Sequence, residues 1–132
     1  NNADAGFDNN LNYNNNLRVY RVAEAYLNAA ELLLETGGDA GLAKEYVNKI
    51  RRRAGMAELG AVTKDDVINE RRLEFVGEGK RYFDLVRTGK AATVLVPDSY
   101  GYRTNSWTES KKYIPIAQAE LDSDPALIQN NY

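Results

Sequence analysis

The sequence of 132 residues contains no cysteine and no histidine. Without cysteine, disulfides, thiolate catalysis and cysteine-ligated zinc are excluded. Without histidine, the usual general base near neutral pH is missing. The net charge is −2, and nucleic-acid binding needs a basic stripe that displaces phosphate counterions, so we expect no nucleic-acid partner. No run of about 18 apolar residues occurs, so no membrane-spanning helix is expected.

What remains is the composition of an ordinary globular protein, with 43% apolar and 27% charged residues. The length suits about one domain with a modest core. Residues 1–16 contain eight Asn and few large apolar side chains, which predicts a loop or disordered lead-in. A helical domain is expected over residues 17–132. Because the chain begins at "NNADAGFDNN" without Met or a signal segment, we expect a processed or excised piece of a longer protein.

Two helices joined by a short loop are predicted in the first half of the chain. Over residues 17–35, apolar side chains recur at i, i+3, i+4 and i+7, with Glu24, Asn28, Glu31 and Glu35 on the opposite face. Gly37 and Gly38 end this helix, and Asp39 is placed to cap a second helix over about 40–53, which Gly55 ends. The second helix is expected to bury Leu42, Ala43, Tyr46, Val47 and Ile50. Such a pair is an antiparallel hairpin similar to a degenerate tetratricopeptide unit, which needs neighbours to cover its faces.

The remaining helices are shorter. Thr63 followed by Asp66 resembles a capping box that starts a third helix over about 64–76, until Gly77 and Gly79 interrupt it. A fourth helix is predicted over about 82–95, with Gly89 weakening its middle. Residues 97–113 lack periodicity and predict a long loop, followed by a short extended piece, one helical turn and a tail from residue 122. The predicted class is mainly α: a tetratricopeptide-like hairpin plus further helices and long irregular loops.

The stretch from Glu70 to Arg87 mixes charged and large apolar residues, with nine of its 18 residues charged, five positive and four negative. One interpretation is catalytic, because Glu70 and Glu74 at i, i+4 have a spacing that suits a glycosidase carboxylate pair. A general acid, however, needs apolar, charge-poor surroundings, and the neighbouring arginines supply the opposite. We therefore predict no catalytic residue and a structural ion-pair network between helices. Its expected members are Arg51, Arg53, Glu70, Glu74, Glu78, Arg81, Asp84 and Arg87.

Five motifs occur in a fixed order along the chain. They are RVYRVAEAYLNAAE (Arg18–Glu31), VNKIRRRAGM (Val47–Met56), ERRLEFVGEGKRYFDLVRTG (Glu70–Gly89), YIPIAQAEL (Tyr113–Leu121) and QNNY (Gln129–Tyr132). Together they resemble the C-terminal region of the SusD/RagB family, glycan-binding surface lipoproteins of Bacteroidetes that work with a TonB-dependent transporter. The resemblance covers about residues 17–132. Family members are several times longer, so the resemblance implies a C-terminal fragment.

The resemblance implies a non-catalytic function in polysaccharide utilisation. A saccharide would be held on the extracellular face of the outer membrane and passed to a SusC-like TonB-dependent transporter for nutrient uptake. The membrane would be reached only through a lipid anchor that this chain lacks. No enzyme activity, metal or cofactor is implied. The alternative left open is a tetratricopeptide-like protein-interaction scaffold with no glycan contact of its own.

The loop over residues 97–113 is the candidate ligand site. Sugar recognition combines aromatic faces with planar polar side chains. The candidate residues are Tyr100, Tyr102, Arg103, Asn105 and Trp107, the only Trp of the chain. In the competing interpretation, Trp107 fills a local hydrophobic pocket and the tyrosines cover helix ends. Both interpretations rest on composition alone.

Overall fold

The computed structural model describes residues 19–130. Over this range the chain forms helices and no strand. The α-helices are α1 (Val22–Glu35), α2 (Ala40–Arg53), α3 (Lys64–Glu74), α4 (Arg81–Arg87), α5 (Ala91–Val94) and α6 (Gln118–Ser123), and a 3₁₀ helix spans Glu109–Lys112. The predicted mainly α class is confirmed. The predicted Asn-rich lead-in and the domain boundary at residue 17 lie outside the described residues. No helix over 19–130 is long and apolar enough to cross a membrane.

The described residues divide between Glu74 and Phe75 into two compact units. In the first unit, α1 and α2 pack as a hairpin, as predicted, and α3 packs against both. Its buried apolar residues are Ala23, Leu27 and Ala30 of α1, Ala43, Val47 and Ile50 of α2, and Val67 and Ile68 of α3. Small alanines at the contact let the helix axes approach closely, while the branched side chains fill the space between them.

Local signals set the ends of the hairpin helices. After α1, Gly37 has a φ of +68°, a left-handed value that glycine adopts without a Cβ clash, and the Gly38 N–H donates to the Leu33 carbonyl at 2.7 Å. The Asp39 carboxylate then accepts the Leu42 N–H at 3.0 Å, which confirms the predicted cap of α2. Helix α2 ends before Gly55, which has a φ of +70°.

Helix α1 differs from its prediction at its start and in the face that it buries. It begins at Val22 instead of residue 17, because Arg21 has an extended backbone. Val19 and Val22, both in the predicted apolar stripe, are exposed, and so is Leu42 in α2. Glu24, predicted on the solvent face, is buried because α3 covers that flank of α1.

The capping box of α3 is confirmed. The Asp66 carboxylate accepts the Thr63 N–H at 2.8 Å and the Thr63 hydroxyl at 2.6 Å, while the Asp66 N–H donates to the Thr63 hydroxyl oxygen at 3.2 Å. The helix ends at Glu74, two residues before its predicted end. Gly77 and Gly79 follow with φ values of +80° and +71° in the turn that begins the second unit.

The second unit corrects the predicted fourth helix. Two short helices, α4 and α5, replace the single helix over 82–95, because Gly89 takes a φ of +70° and the Lys90 N–H closes back onto the Leu85 carbonyl at 2.8 Å. This is the glycine-ended helix terminus that the hairpin also uses. Phe75, Leu85 and Ala91 form the buried apolar residues of the unit.

The C-terminal part of this unit is more ordered than the predicted tail. Residues 113–117 connect the 3₁₀ helix to α6, the predicted helical turn, and α6 extends to Ser123. Gln129 returns to Ile116: its side-chain amide donates to the Ile116 carbonyl and accepts the Ile116 N–H, both at 2.9 Å. A glutamine side chain thereby satisfies both backbone groups of one residue outside any sheet.

Candidate functional site

In the first unit, a buried ion pair links α1 to α3. The Arg71 guanidinium lies 3.7 Å from the Glu24 carboxylate, and their side chains are only 5% and 8% exposed. Arg71 also donates to the Asn28 side-chain oxygen. Neither Glu24 nor Arg71 was predicted in the network. The signal that could have found Arg71 is its position, since it follows the buried Val67 by one helical turn.

A second pair links α2 to α3. Arg51 Nη1 lies 2.8 Å from Glu70 Oε2, with both side chains largely buried, and Arg51 Nε donates to the Ala57 carbonyl at 2.7 Å. Arg51 therefore links α2 both to α3 and to the chain segment that follows α2.

Glu74, the last residue of α3, forms ion pairs with two arginines. Arg53 Nη2 lies 2.6 Å from both Glu74 carboxylate oxygens. Arg21 Nη1 pairs with the Glu74 carboxylate, and Arg21 Nη2 donates to the Glu74 carbonyl at 2.6 Å. Of the predicted network, the first unit thus brings together Arg51 with Glu70 and Arg53 with Glu74. Arg21 was not predicted.

The predicted network residues of the second unit have more local surroundings. The buried Asp84 accepts from Arg87 Nε at 3.0 Å and from Arg87 Nη2 at 2.7 Å. Glu78 lies exposed in the turn before α4, where its N–H donates to the Phe75 carbonyl at 3.0 Å. Arg81 Nη1 is buried, and no residue over 19–130 accepts a hydrogen bond from it.

The paired carboxylates of the first unit link its helices. Glu24, Glu70 and Glu74 each face at least one guanidinium group on another element. Each carboxylate is thus held in an ion pair, whereas a glycosidase general acid needs apolar, charge-poor surroundings. Among residues 19–130, no group of three or more His, Cys, Asp or Glu side chains is arranged to hold a metal ion.

In the candidate ligand loop, Asp98 organises the backbone. Its Oδ1 accepts the N–H groups of Tyr100 and Tyr102 at 2.9 and 3.2 Å, and its Oδ2 accepts the Arg103 N–H at 2.7 Å. Burial by itself raises the pKa of the Asp98 carboxyl and is the largest single influence. The backbone N–H groups of residues 100–103 together outweigh it and hold the pKa below its ordinary value. The Asp98 carboxylate is therefore ionised at neutral pH and accepts these backbone N–H groups.

Two tyrosine rings project from this loop. Tyr100 and Tyr102 are 83% and 92% exposed, their ring centroids lie 6.4 Å apart, and their planes are inclined by 34°. Asn105 is also exposed. Exposure this high is unusual for aromatic side chains, which normally bury most of their area. The loop therefore presents two aromatic faces to solvent.

The other two predicted ligand residues are engaged with the loop framework. Arg103 Nη1 donates to the carbonyls of Val94 and Val96 at 3.3 and 3.2 Å. The half-buried Trp107 donates its indole N–H to the Tyr82 hydroxyl oxygen at 3.2 Å and its backbone N–H to the Leu95 carbonyl at 2.9 Å. Trp107 is thus hydrogen-bonded to α4 and to the backbone after α5, and its contact with a ligand stays a prediction.

Comparison with known proteins identifies the family. The family model of the SusD family matches residues 1–132, including the first 16 residues that the motifs did not cover. The chain is 34% identical to the starch-binding protein SusD of Bacteroides thetaiotaomicron, over 85% of this chain and 20% of that protein. It is 32% identical to the SusD-like protein P25 of Formosa agariphila, over 92% of this chain and 25% of that protein. The chain therefore spans about a quarter or less of the length of these curated relatives.

Solved structures show the same fold. The surface glycan-binding protein A from Bacteroides uniformis matches with a TM-score of 0.83 and 66% identity, over 97% of this chain and 30% of that chain. The surface glycan-binding protein A from Bacteroides thetaiotaomicron, in complex with laminarihexaose, matches with a TM-score of 0.79 and 60% identity, over 92% of this chain and 26% of that chain. Because the family model matches residues 1–132 of this chain and the fold is shared with these proteins, the chain belongs to the SusD family.

Proposed function

We propose that this chain takes part in non-catalytic glycan binding at the cell surface, and that the loop over residues 97–113 contacts the glycan. The observation that carries the proposal is the pair of exposed rings, Tyr100 and Tyr102. They lie on a loop whose backbone is held by hydrogen bonds to the Asp98 carboxylate. Relatives are named as a starch-binding protein and as surface glycan-binding proteins, which supports the same chemical class of ligand here.

The chemistry of the loop suits a saccharide. Pyranose rings present apolar C–H faces that pack on aromatic rings, and their hydroxyl groups need planar polar partners. Tyr100 and Tyr102 supply two ring faces, and the exposed amide of Asn105 has donor and acceptor groups for hydroxyls. We assign Trp107 and Arg103 a supporting role, because the Trp107 indole N–H is bonded to the Tyr82 hydroxyl of α4 and Arg103 Nη1 to the Val94 and Val96 carbonyls.

The delivery step belongs to the same proposal. Family membership supports a protein that holds an oligo- or polysaccharide on the extracellular face of the outer membrane and passes it to a SusC-like TonB-dependent transporter. This chain would form the C-terminal part of such a nutrient-uptake lipoprotein. The structural neighbour bound to laminarihexaose makes that oligosaccharide the first ligand to try.

The test is affinity measured by calorimetry with laminarihexaose and by affinity electrophoresis in gels containing starch or other glycans. Replacing Tyr100 and Tyr102 together by Ala should weaken binding by about tenfold or more, because two stacking faces are lost. Tyr20→Ala removes an exposed ring of the first unit and should leave binding unchanged. Trp107→Ala should lower the melting temperature as well as the affinity, because it removes a loop anchor.

Two outcomes would contradict the proposal. If the double tyrosine variant binds as tightly as the wild type, the glycan site lies elsewhere in the chain. If the wild-type chain binds no glycan of the panel, glycan contact by this chain is rejected in favour of a scaffold function.

The scaffold function is the second candidate, and a partly exposed apolar stripe of the hairpin favours it. On α1, Val22, Tyr26, Ala29 and Leu33 recur at helical spacing, with Val22 exposed and the other three half-buried. Val22 is 68% exposed, and the Tyr26 ring contacts Tyr46 of α2 with 5.3 Å between centroids. Tetratricopeptide-like hairpins stack on neighbours through such faces, so this surface suits other repeats of a longer protein or the transporter.

A further inference from the structure

We infer that Asp98 is the positioning residue of the proposed glycan site: before any saccharide arrives, its carboxylate fixes the loop backbone from which the Tyr100 and Tyr102 rings project. The inference rests on the proposed function of the loop. Asp98 thereby has a role in binding although its carboxylate is bonded to the backbone of its own loop.

The two carboxylate oxygens hold different parts of the loop. Oδ1 accepts from the backbone of both tyrosines, at 2.9 Å for Tyr100 and 3.2 Å for Tyr102. Oδ2 accepts from Arg103, the residue after the second tyrosine, at 2.7 Å. A single acceptor atom shared by the two ring-bearing residues fixes their backbones relative to each other.

Backbone bonds close the loop around this carboxylate. The Asp98 N–H donates to the Arg103 carbonyl at 3.0 Å, so residues 98 and 103 are joined in both directions. Gly101, between the tyrosines, has a φ of +78°, which lets the chain turn there. The Arg103 guanidinium then ties the loop to the carbonyls of Val94 and Val96.

The rings themselves have little packing that would hold them. With 83% and 92% of their surfaces exposed, Tyr100 and Tyr102 depend on the backbone for their placement. A ligand that must order two free aromatic side chains and their loop loses that entropy from its binding free energy. A loop ordered in advance avoids the backbone part of this loss, so removal of the Asp98 carboxylate should weaken binding without removing any ring.

The experiment compares Asp98→Ala, Asp98→Asn and the control Asp122→Asn, which removes an exposed charge of α6. Binding to laminarihexaose is measured by calorimetry, and NMR follows amide hydrogen exchange. We expect Asp98→Ala to bind about tenfold more weakly, since the loop backbone must then be ordered on binding as well as the two side chains. The amides of Tyr100, Tyr102 and Arg103 should exchange faster in this variant, with the α1 amides and the melting temperature unchanged. Asp98→Asn should recover part of the affinity, because its remaining oxygen can still accept from both tyrosines.

The controls separate failure of this inference from failure of the proposed site. If the double tyrosine variant loses binding while Asp98→Ala binds as tightly as the wild type, the positioning role is overturned and the site stands. If the double tyrosine variant keeps full affinity, the proposed site and this inference fall together. Loss of the overall melting transition in Asp98→Ala, with no recovery in Asp98→Asn, would make Asp98 a folding residue and would also overturn the inference.

Discussion

The two compact units of the chain use their charged side chains over very different separations along the sequence. In the first unit, Arg51 reaches Glu70, 19 positions away, and Arg21 reaches Glu74, 53 positions away. In the second unit, Asp84 pairs with a residue three positions along, and Asp98 bonds residues two to five positions along.

This difference separates two uses of the same chemistry. Long-range pairs between buried groups fix how helices sit against each other, and losing one partner leaves a charge without water or a counterion. Local bonds from carboxylate to backbone fix the shape of a short segment and leave its other side chains free for solvent. We therefore expect the largest effects on stability in the first unit and effects on ligand binding in the loop of the second unit.

The sharpest test of this contrast is Arg71→Ala. The change removes the Arg71 guanidinium from the buried Glu24 carboxylate and from the Asn28 side-chain oxygen. The free energy of unfolding should therefore fall by about 3 kcal/mol or more. Arg72→Ala removes the next residue of the same helix, which is exposed, and should change stability little. Urea unfolding followed by circular dichroism measures both. Equal unfolding midpoints for the two variants would contradict the division between buried pairs and surface charges.

A smaller loss is expected for Asp84→Ala, which tests whether a buried local pair behaves like a buried long-range pair. Asp84 is buried, but its partner Arg87 is partly exposed and can return to water, so we expect a loss of about 2 kcal/mol. A double-mutant cycle with Arg87→Ala isolates the pair from the other contacts of each residue. The expected thermal shift is several degrees. A shift of less than about 2 °C would show that local pairing contributes only at the level of a surface charge.

The smallest expected effect on stability is at the capping box of α3. Its two residues are three positions apart, although they lie in the unit with the long-range ion pairs. The Thr63 hydroxyl and then the Thr63 backbone N–H lower the pKa of the Asp66 carboxyl. A carboxyl whose pKa is lowered by folding adds stability that is present above its unfolded pKa, about 4, and is lost as the pH falls through the folded pKa. Asp66→Ala should therefore cost about 1 kcal/mol at pH 7 and progressively less below about pH 4.

The comparison for this variant is Asp65→Ala, which removes an exposed carboxylate from the same turn. Urea unfolding at a series of pH values gives the difference between the two variants. A difference that stays constant down to pH 3 would assign the effect of Asp66 to packing instead of to its charge.

Elements with local signals could be predicted from the sequence. The bounds of α2 were predicted correctly because Asp39 and Gly55 mark its ends. The capping box of α3 was predicted for the same reason. Gly89 was recognised as a weak point, but the sequence alone does not show that its left-handed backbone would split the helix into α4 and α5.

Burial of charge depends on partners that are distant in the sequence, and periodicity does not show them. Glu24 was placed on the solvent face because a carboxylate in an amphipathic pattern normally lies there, yet Arg71 meets it inside the unit. The candidate loop was found by composition, which selects aromatic residues without showing their exposure. Composition therefore ranked Trp107 beside Tyr100 and Tyr102, although the Trp indole N–H is bonded within the unit and the tyrosines face solvent.

The bonds around Asp98 also have a consequence for how this surface can change over time. All of them use backbone N–H or carbonyl groups of residues 98–103, apart from the Asp98 carboxylate itself. The side chains at positions 100 and 102 can therefore be exchanged without breaking a bond that shapes the loop. In the proposed glycan site, mutation can then change ligand preference at these two positions while the loop backbone stays the same, which separates the evolution of specificity from the evolution of stability.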